Sequence, residues 1–385
     1  MNNRPNKRVI LLIAYCFLFF IYSLYSYAFL DVNLTLTSVP IFLWLQKEIQ
    51  HFGYIHRSSS ALFFLAIIGL IILCYVAIVK HQSNSFKPKW IFLVIASLLV
   101  ISYPSFSSDI WNYIFNAKMV LVYHADPHQQ IALNFPNDPM LMFMRNIHTP
   151  APYFYVWTIL SLVPGVLALN SIFSSLIIFK VFSLVQFLGC FWVLQSIYQI
   201  YHVTNHKQRL VLFMLNPLLL IESIGIGHND LSMMFFALVS FYLLLLYKRN
   251  GSIKRLLLSI IFLALSIGIK YATVVLVPLY ILYIFIDYDL GLWGALALLV
   301  LPFTRIEQLH SWYLIWPLTW VFLSRSQEAI KFFIFLSFFA LLRYLPYIYY
   351  GNWDPPVFTL RLAIYFIVPM IYGVKLLIPF LHRRD

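Results

Sequence analysis

No charged residue interrupts the stretch Val9 to Leu30, and comparable apolar runs recur along the whole chain. A run of that length matches a hydrocarbon core of about 30 Å, which a chain crosses alone only as a helix. Lipid is therefore the expected solvent for most of this protein. Composition agrees: 62% of the residues are hydrophobic, 10% are charged and the mean hydropathy is +0.85, too apolar for a water-soluble globule. The expected fold class is all-α: a single polytopic transmembrane helical bundle over residues 1–385, with no separate soluble domain.

The net charge of +13 would suit a nucleic-acid partner only if it formed one basic surface. It does not. Lys and Arg fall in short clusters between apolar runs: Arg4/Lys7/Arg8, Lys80/Lys87/Lys89, Lys207/Arg209, Lys248/Arg249/Lys254/Arg255, Arg325/Lys331 and Arg383/Arg384. That pattern reads as membrane topology, with all six clusters on the cytoplasmic side. Spans are then expected near 9–30, 60–79, 90–103, 172–200, 210–222, 231–247, 256–269, 271–286, 290–303, 312–324, 332–350 and 358–381. These make about twelve crossings with both termini cytoplasmic, in what is expected to be a prokaryotic plasma membrane. The first stretch lacks a small-residue cleavage site and reads as an uncleaved span. Cys16, Cys74 and Cys190 lie inside apolar runs and read as small buried hydrophobes.

Residues 153–169 are apolar enough to span, but a crossing there would move a basic cluster outside. They read as a re-entrant or interfacial segment within one large extracytoplasmic loop, 104–171. Ser107-Ser108-Asp109 is a helix-start signal, and the helix it opens is expected to run to about Tyr123. Ile110, Ile114, Ala117 and Leu121 share one face; Asp109, Asn112, Tyr113 and Asn116 share another. An amphipathic helix lying on the membrane is expected.

On this topology Asp109, His228, Asn229, Asp230, Lys270, Arg305, Glu307 and His310 all fall near the outer interface. Ionisable groups beside apolar spans are costly, so each is a functional candidate. Each also has a plainer reading. Asp109, Asn229 and Asp230 could be helix caps, Glu222 and Lys270 could snorkel, and Trp312, Tyr313, Trp316 and Trp320 could be an interfacial aromatic belt. Asp287-Tyr288-Asp289 has the spacing of a metal-holding D-x-D pair but falls in a short cytoplasmic turn. No metal site and no cofactor is expected, although a divalent ion is compatible with the chemistry. No nucleotide-binding glycine loop, zinc motif or internal repeat is evident.

The run Tyr103-Pro104-Ser105-Phe106-Ser107-Ser108-Asp109-Ile110-Trp111-Asn112-Tyr113 resembles the first outer loop of polyprenyl-phosphate-mannose-dependent mannosyltransferases of the glycosyltransferase C (GT-C) superfamily. Ala125-Asp126-Pro127-His128 and Thr149-Pro150-Ala151-Pro152-Tyr153 resemble later segments of the same loop. Asn216-Pro217 through Glu222, Gly227-His228-Asn229-Asp230, Gly268-Ile269-Lys270-Tyr271 and His310-Ser311-Trp312-Tyr313 continue the likeness in order, over roughly residues 100–320. The departures are Asp126-Pro127-His128 and Ala151-Pro152, which replace the family's commoner turn and Tyr-Gly-Pro segment.

The resemblance implies a multi-span GT-C-like fold and an inverting hexosyl transfer, with mannose favoured, from a polyprenyl-phosphate sugar donor to a glycan or lipid acceptor on the extracytoplasmic face. Asp109 would be the catalytic base. Lys270, His310, Arg305 and His228 would hold the donor phosphate; Asn112, Asn229, Asp230, Tyr153 and Trp312 would bind substrate. The chemistry is consistent with one carboxylate, because a phosphate leaves without an acid, whereas a glycosidase needs two facing carboxyl groups. The rivals are a polytopic transporter or flippase moving a polar or lipid-linked substrate past the same residues, and a non-catalytic membrane scaffold, which leaves the clustering of polar residues on one face unexplained. Membrane lipid is a partner in either case; nucleic acid is not.

Overall fold

The computed structural model of the chain describes residues 7–80, 88–168, 171–201, 205–304 and 309–381. The helices, in chain order, are α1 (Lys7–Tyr25), α2 (Pro40–Ile55), α3 (Arg57–Lys80), α4 (Lys89–Ile101), α5 (Asp109–Leu121), α6 (Tyr155–Leu167), α7 (Ile172–Tyr201) and α8 (His206–Met214). They continue with α9 (Pro217–Ile226), α10 (Asp230–Asn250), α11 (Ile253–Ile267), α12 (Tyr271–Phe285), α13 (Leu290–Phe303), α14 (Ile315–Val321), α15 (Gln327–Leu342), α16 (Leu345–Tyr350) and α17 (Val357–Leu381). No strand occurs among the described residues.

Among the described residues five segments are long and apolar enough to cross a membrane: Arg8–Phe29, α3, α7, α10 and Gln327–Tyr350. A sixth arises if α8 and α9, bent by 44°, form one broken span. The bend has a local cause. Asn216 accepts hydrogen bonds from the Leu218 and Leu219 amides at 2.9 and 3.1 Å and restarts the helix, with Pro217 at its first position. The crossings expected near 90–103, 271–286 and 290–303 coincide with apolar helices of 10–17 residues, and the one near 358–381 overlaps the apolar stretch Val357–Tyr372 of α17.

Buried cations stitch the bundle. Lys180 of α7 is fully buried and donates to the Leu99 carbonyl at 3.1 Å and to the carbonyl of Ser102, pinning the C-terminus of α4, where unsatisfied carbonyls and the helix dipole favour a cation. Arg209 of α8, expected as a topology marker, is also buried and donates to the carbonyls of Phe322 and Ser324 after α14. Serines join α10 to α11: Ser240 donates to the Ser259 carbonyl at 2.7 Å and Ser266 to the Met233 carbonyl at 2.8 Å. Small hydroxyl residues of this kind let membrane helices approach closely.

Three expectations are corrected. Helix α5 starts at Asp109 and ends at Leu121, but it does not lie on the membrane: every residue from Ile110 to Ala117 is buried. The loop folds over it, with α6, α7 and the turns Ala132–Asn134 and Pro139–Phe143 all packing on α5, so its polar face is internal. Helix α2 occupies a stretch for which the sequence pattern gave no element. Of the cysteines, Cys190 is buried but Cys16 and Cys74 are only partly so.

Candidate active site

The Asp109 carboxylate sits in the first turn of α5, where the helix dipole favours negative charge. It is not the cap. Ser108 holds that position, and the Asp109 amide is met instead by the Ser107 hydroxyl at 3.2 Å. The Asp109 side chain is 19% exposed and accepts a hydrogen bond from the Tyr153 phenol at 2.9 Å. Tyr113 in turn donates to the Tyr153 oxygen at 3.4 Å.

Behind Asp109 lies His228. Its Nδ1 is 3.5 Å from Asp109 Oδ2, and its Nε2 is 3.5 Å from Glu222 Oε2. Gly227 makes this possible: its φ of +85° ends α9 in a left-handed turn, and any β-carbon there would strike Ile110 of α5. The turn therefore brings His228 against the start of α5. Glu222 does not snorkel. It is fully buried and accepts from the Tyr344 phenol at 2.9 Å.

In front of Asp109 opens a cavity of about 600 Å³. Lys270 reaches it from the extended break between α11 and α12, held by the Phe154 amide donating to the Ile269 carbonyl at 3.4 Å. Its ammonium is 2.8 Å from Asp230 Oδ1, and it sits 5.1–5.7 Å from the ring centres of Tyr153, Tyr313 and Trp316. The Trp316 indole donates to the same Asp230 oxygen. Lys270 is thus fixed by an ion pair and an aromatic cage rather than extended to the interface. Trp312, Tyr313 and Trp316 wall the cavity, and Trp320 is buried on the Leu290 carbonyl, so these aromatics are not an interfacial belt.

A second cavity, of about 320 Å³, meets the first at Asp109, His310 and Trp312, which line both. Its other walls carry Arg145, Arg343 and Arg361. Both His228 and His310 stack on Trp312, each with ring centres 4.1 Å apart. Burial and the nearby Arg343 push the His310 imidazole down to about 3, so it is neutral at physiological pH and serves as a hydrogen-bonding group, not a cation. Burial alone would raise the Asp109 carboxyl. The adjacent His228, with Lys270 and Tyr153, more than offsets this and holds it below its usual value, ionised and ready to accept a proton. Conversely, burial and Asp109 raise Tyr153 well above the usual phenol value, which keeps it a donor.

The sequence candidates therefore converge. Asp109, Tyr153, Lys270, His310 and Trp312 face the larger cavity; His228, Asn229 and Asp230 form its buried backing. Asn112 lies buried within α5 with its carbonyl oxygen unpartnered in the protein, and both polar atoms of the Asn229 amide are likewise unpartnered. Arg305 and Glu307 lie outside the described residues. Asp287 and Asp289 are committed elsewhere. Asp287 pairs with Arg325 at 2.8 Å, while Asp289 caps α13 and accepts from Ser324 and the Arg325 amide. Among the described residues no group of three or more His, Cys, Asp or Glu is placed to hold a metal.

Sequence reasoning missed Arg343, Arg361 and Tyr344. The signal was present, since both arginines interrupt apolar runs as Lys270 does.

No curated protein and no solved structure matches the chain. Residues 18–286 do match a family, described as alpha-(1->6)-mannopyranosyltransferase, N-terminal domain, and that span covers both Asp109 and Lys270. A cavity-facing carboxylate beside cations and aromatic rings, in an apolar helical chain, is in keeping with glycosyl transfer. The protein belongs to this family of alpha-(1->6)-mannopyranosyltransferases and is a membrane mannosyltransferase.

Proposed function

We propose that this mannosyltransferase draws its sugar from a polyprenyl-phosphate donor and transfers it with inversion at the extracytoplasmic face of a prokaryotic plasma membrane. In this reading the shorter apolar helices complete about twelve crossings of a GT-C-like bundle, and both termini are cytoplasmic. The observation that carries the proposal is the position of Asp109, among the described residues the single carboxylate on the wall common to two cavities whose linings also carry Lys270, three arginines, His310 and aromatic rings.

The chemistry follows from that position. Asp109 takes the proton of an acceptor hydroxyl as its oxygen bonds to C1 of the sugar. The bond from C1 to the phosphate oxygen breaks, and its electron pair leaves on the phosphate. The arginines of the second cavity, Arg145, Arg343 and Arg361, stabilise the charge that grows there. A phosphate leaves without a proton, so one carboxylate suffices and this reading needs no metal. His228 and Tyr153 hold Asp109 in orientation. Since the family's linkage is alpha-(1->6), inversion requires a β-linked donor, and the acceptor presents a 6-hydroxyl of a glycan or glycolipid.

The test is transfer by purified protein in lipid vesicles, with label carried on a synthetic β-mannosyl polyprenyl phosphate or on a mannose nucleotide, with and without chelator. Transfer from the lipid donor, unchanged by chelator, is expected. Transfer from the nucleotide alone would overturn the reading.

A further inference from the structure

Arg343 and Arg361 are unusual residues for their surroundings. They are 3% and 8% exposed, and among the described residues neither makes an ion pair. Each keeps a buried Nε with no hydrogen-bond partner in the protein. Their guanidinium groups lie over the rings of Tyr365, at 5.7 Å, and Trp353, at 4.6 Å. Two buried, unpaired guanidiniums in one cavity are strongly unfavourable unless an anion joins them. Among the described residues Asp109 is the one carboxylate lining this cavity. Lys270, by contrast, already has Asp230.

An apolar groove of about 500 Å³ lies between α3, α16 and α17. Its walls include Leu62 and Leu65 of α3, Leu345 of α16, and Leu360, Ala363 and Ile367 of α17. Consecutive residues line the two spaces: Arg343 and Tyr344 lead directly into Leu345, and Leu360 directly precedes Arg361. Leu62 is 68% exposed and Ile367 38%, so on a membrane protein the groove faces lipid. An apolar trough whose wall residues are followed or preceded in the chain by two unpaired arginines is the complement of a lipid carrying one terminal phosphate.

We infer that the polyprenyl-phosphate donor lays its prenyl chain in the α3/α16/α17 groove, sets its phosphate on Arg343 and Arg361, and so presents its sugar to Asp109 from the arginine side. This rests on the donor class proposed above and assigns it a place. The larger Lys270 cavity is left to the acceptor, which then approaches C1 from the side opposite the phosphate, as inversion requires. The arginines and the α16 and α17 walls of the groove lie outside the matched residues 18–286, while its α3 wall lies within them.

The test uses full-length protein in detergent with a photoactivatable polyprenyl monophosphate, followed by peptide mapping, and steady-state transfer kinetics on variants. Crosslinks are expected in the segments 345–350 and 360–367, displaced by polyprenyl phosphate but not by inorganic phosphate or the free prenol. Arg361→Gln should raise the donor KM by about tenfold to a hundredfold and leave the acceptor KM unchanged. Ala363→Trp, at an exposed groove position where folding is undisturbed, should raise the donor KM in the same selective way. Crosslinks elsewhere, or unchanged donor KM in both variants while the native protein transfers from the lipid donor, overturn the docking route alone. A native protein that neither binds the probe nor uses the lipid donor overturns the donor class with it.

Discussion

Lys270 Nζ lies 2.8 Å from Asp230 Oδ1, so the cation that the sequence singles out for a phosphate already has a carboxylate partner. Asp230 is completely buried and the Lys270 side chain is 16% exposed. Breaking such a pair strands a buried charge. Lys270→Met should therefore destabilise the protein by about 3 kcal/mol, measured by thermal unfolding in detergent. The double variant Lys270→Met/Asp230→Asn should regain part of that stability without regaining transfer. Equal stability of the single and double variants would show that the pair is not coupled.

Tyr153 tunes the base. Its hydrogen bond stabilises the ionised form of Asp109, so Tyr153→Phe raises the carboxyl pKa. Activity that needs the carboxylate then fades at a higher pH than in the native protein: the acid limb of the kcat/KM profile moves upward, and the plateau rate falls about tenfold. An acid limb that stays in place while the rate falls would limit Tyr153 to substrate contact.

His310 should be silent in the pH profile. Burial and Arg343 hold it neutral down to about pH 3, so it contributes no inflection between about pH 5 and 8. An inflection near pH 6.5 that His310→Asn removes would contradict this placement.

Packing of α13 on α14 leaves no room for side chains at two glycines. A β-carbon on Gly291 would meet the Ser324 backbone, and one on Gly294 the Trp320 indole, whose N–H binds the Leu290 carbonyl at 3.0 Å. Gly294→Ala should lower stability by about 1–3 kcal/mol in a thermal melt. Gly251→Ala meets no neighbour, so any loss there comes from its φ of +66° alone.

The membrane class, the helix opening at Asp109 and most of the cavity were legible because each rests on a local signal. Apolar runs, a Ser-Ser-Asp start and polar residues at span ends need no tertiary knowledge. What was not legible depended on what covers a residue. The polar face of α5 reads as a membrane surface helix until the 132–144 turns and α6 are seen to close over it. Glu222 and Arg209 have the sequence context of snorkelling side chains, yet Tyr344 and the carbonyls of Phe322 and Ser324 hold them inside. Arg343 and Arg361 obey the same rule that marked Lys270, but sit far from the motifs that drew attention to the first outer loop. Their meeting with Asp109 in one chamber is a property of the fold.

The central claim is that Asp109 removes the acceptor's proton. Asp109→Asn preserves the shape of the side chain and removes only its basicity, so the decisive measurement is the single-turnover rate of mannose transfer from polyprenyl phosphate by this variant in lipid vesicles. The account predicts a fall of about a hundredfold to ten-thousandfold with donor binding retained. A rate within a few-fold of the native protein would contradict it.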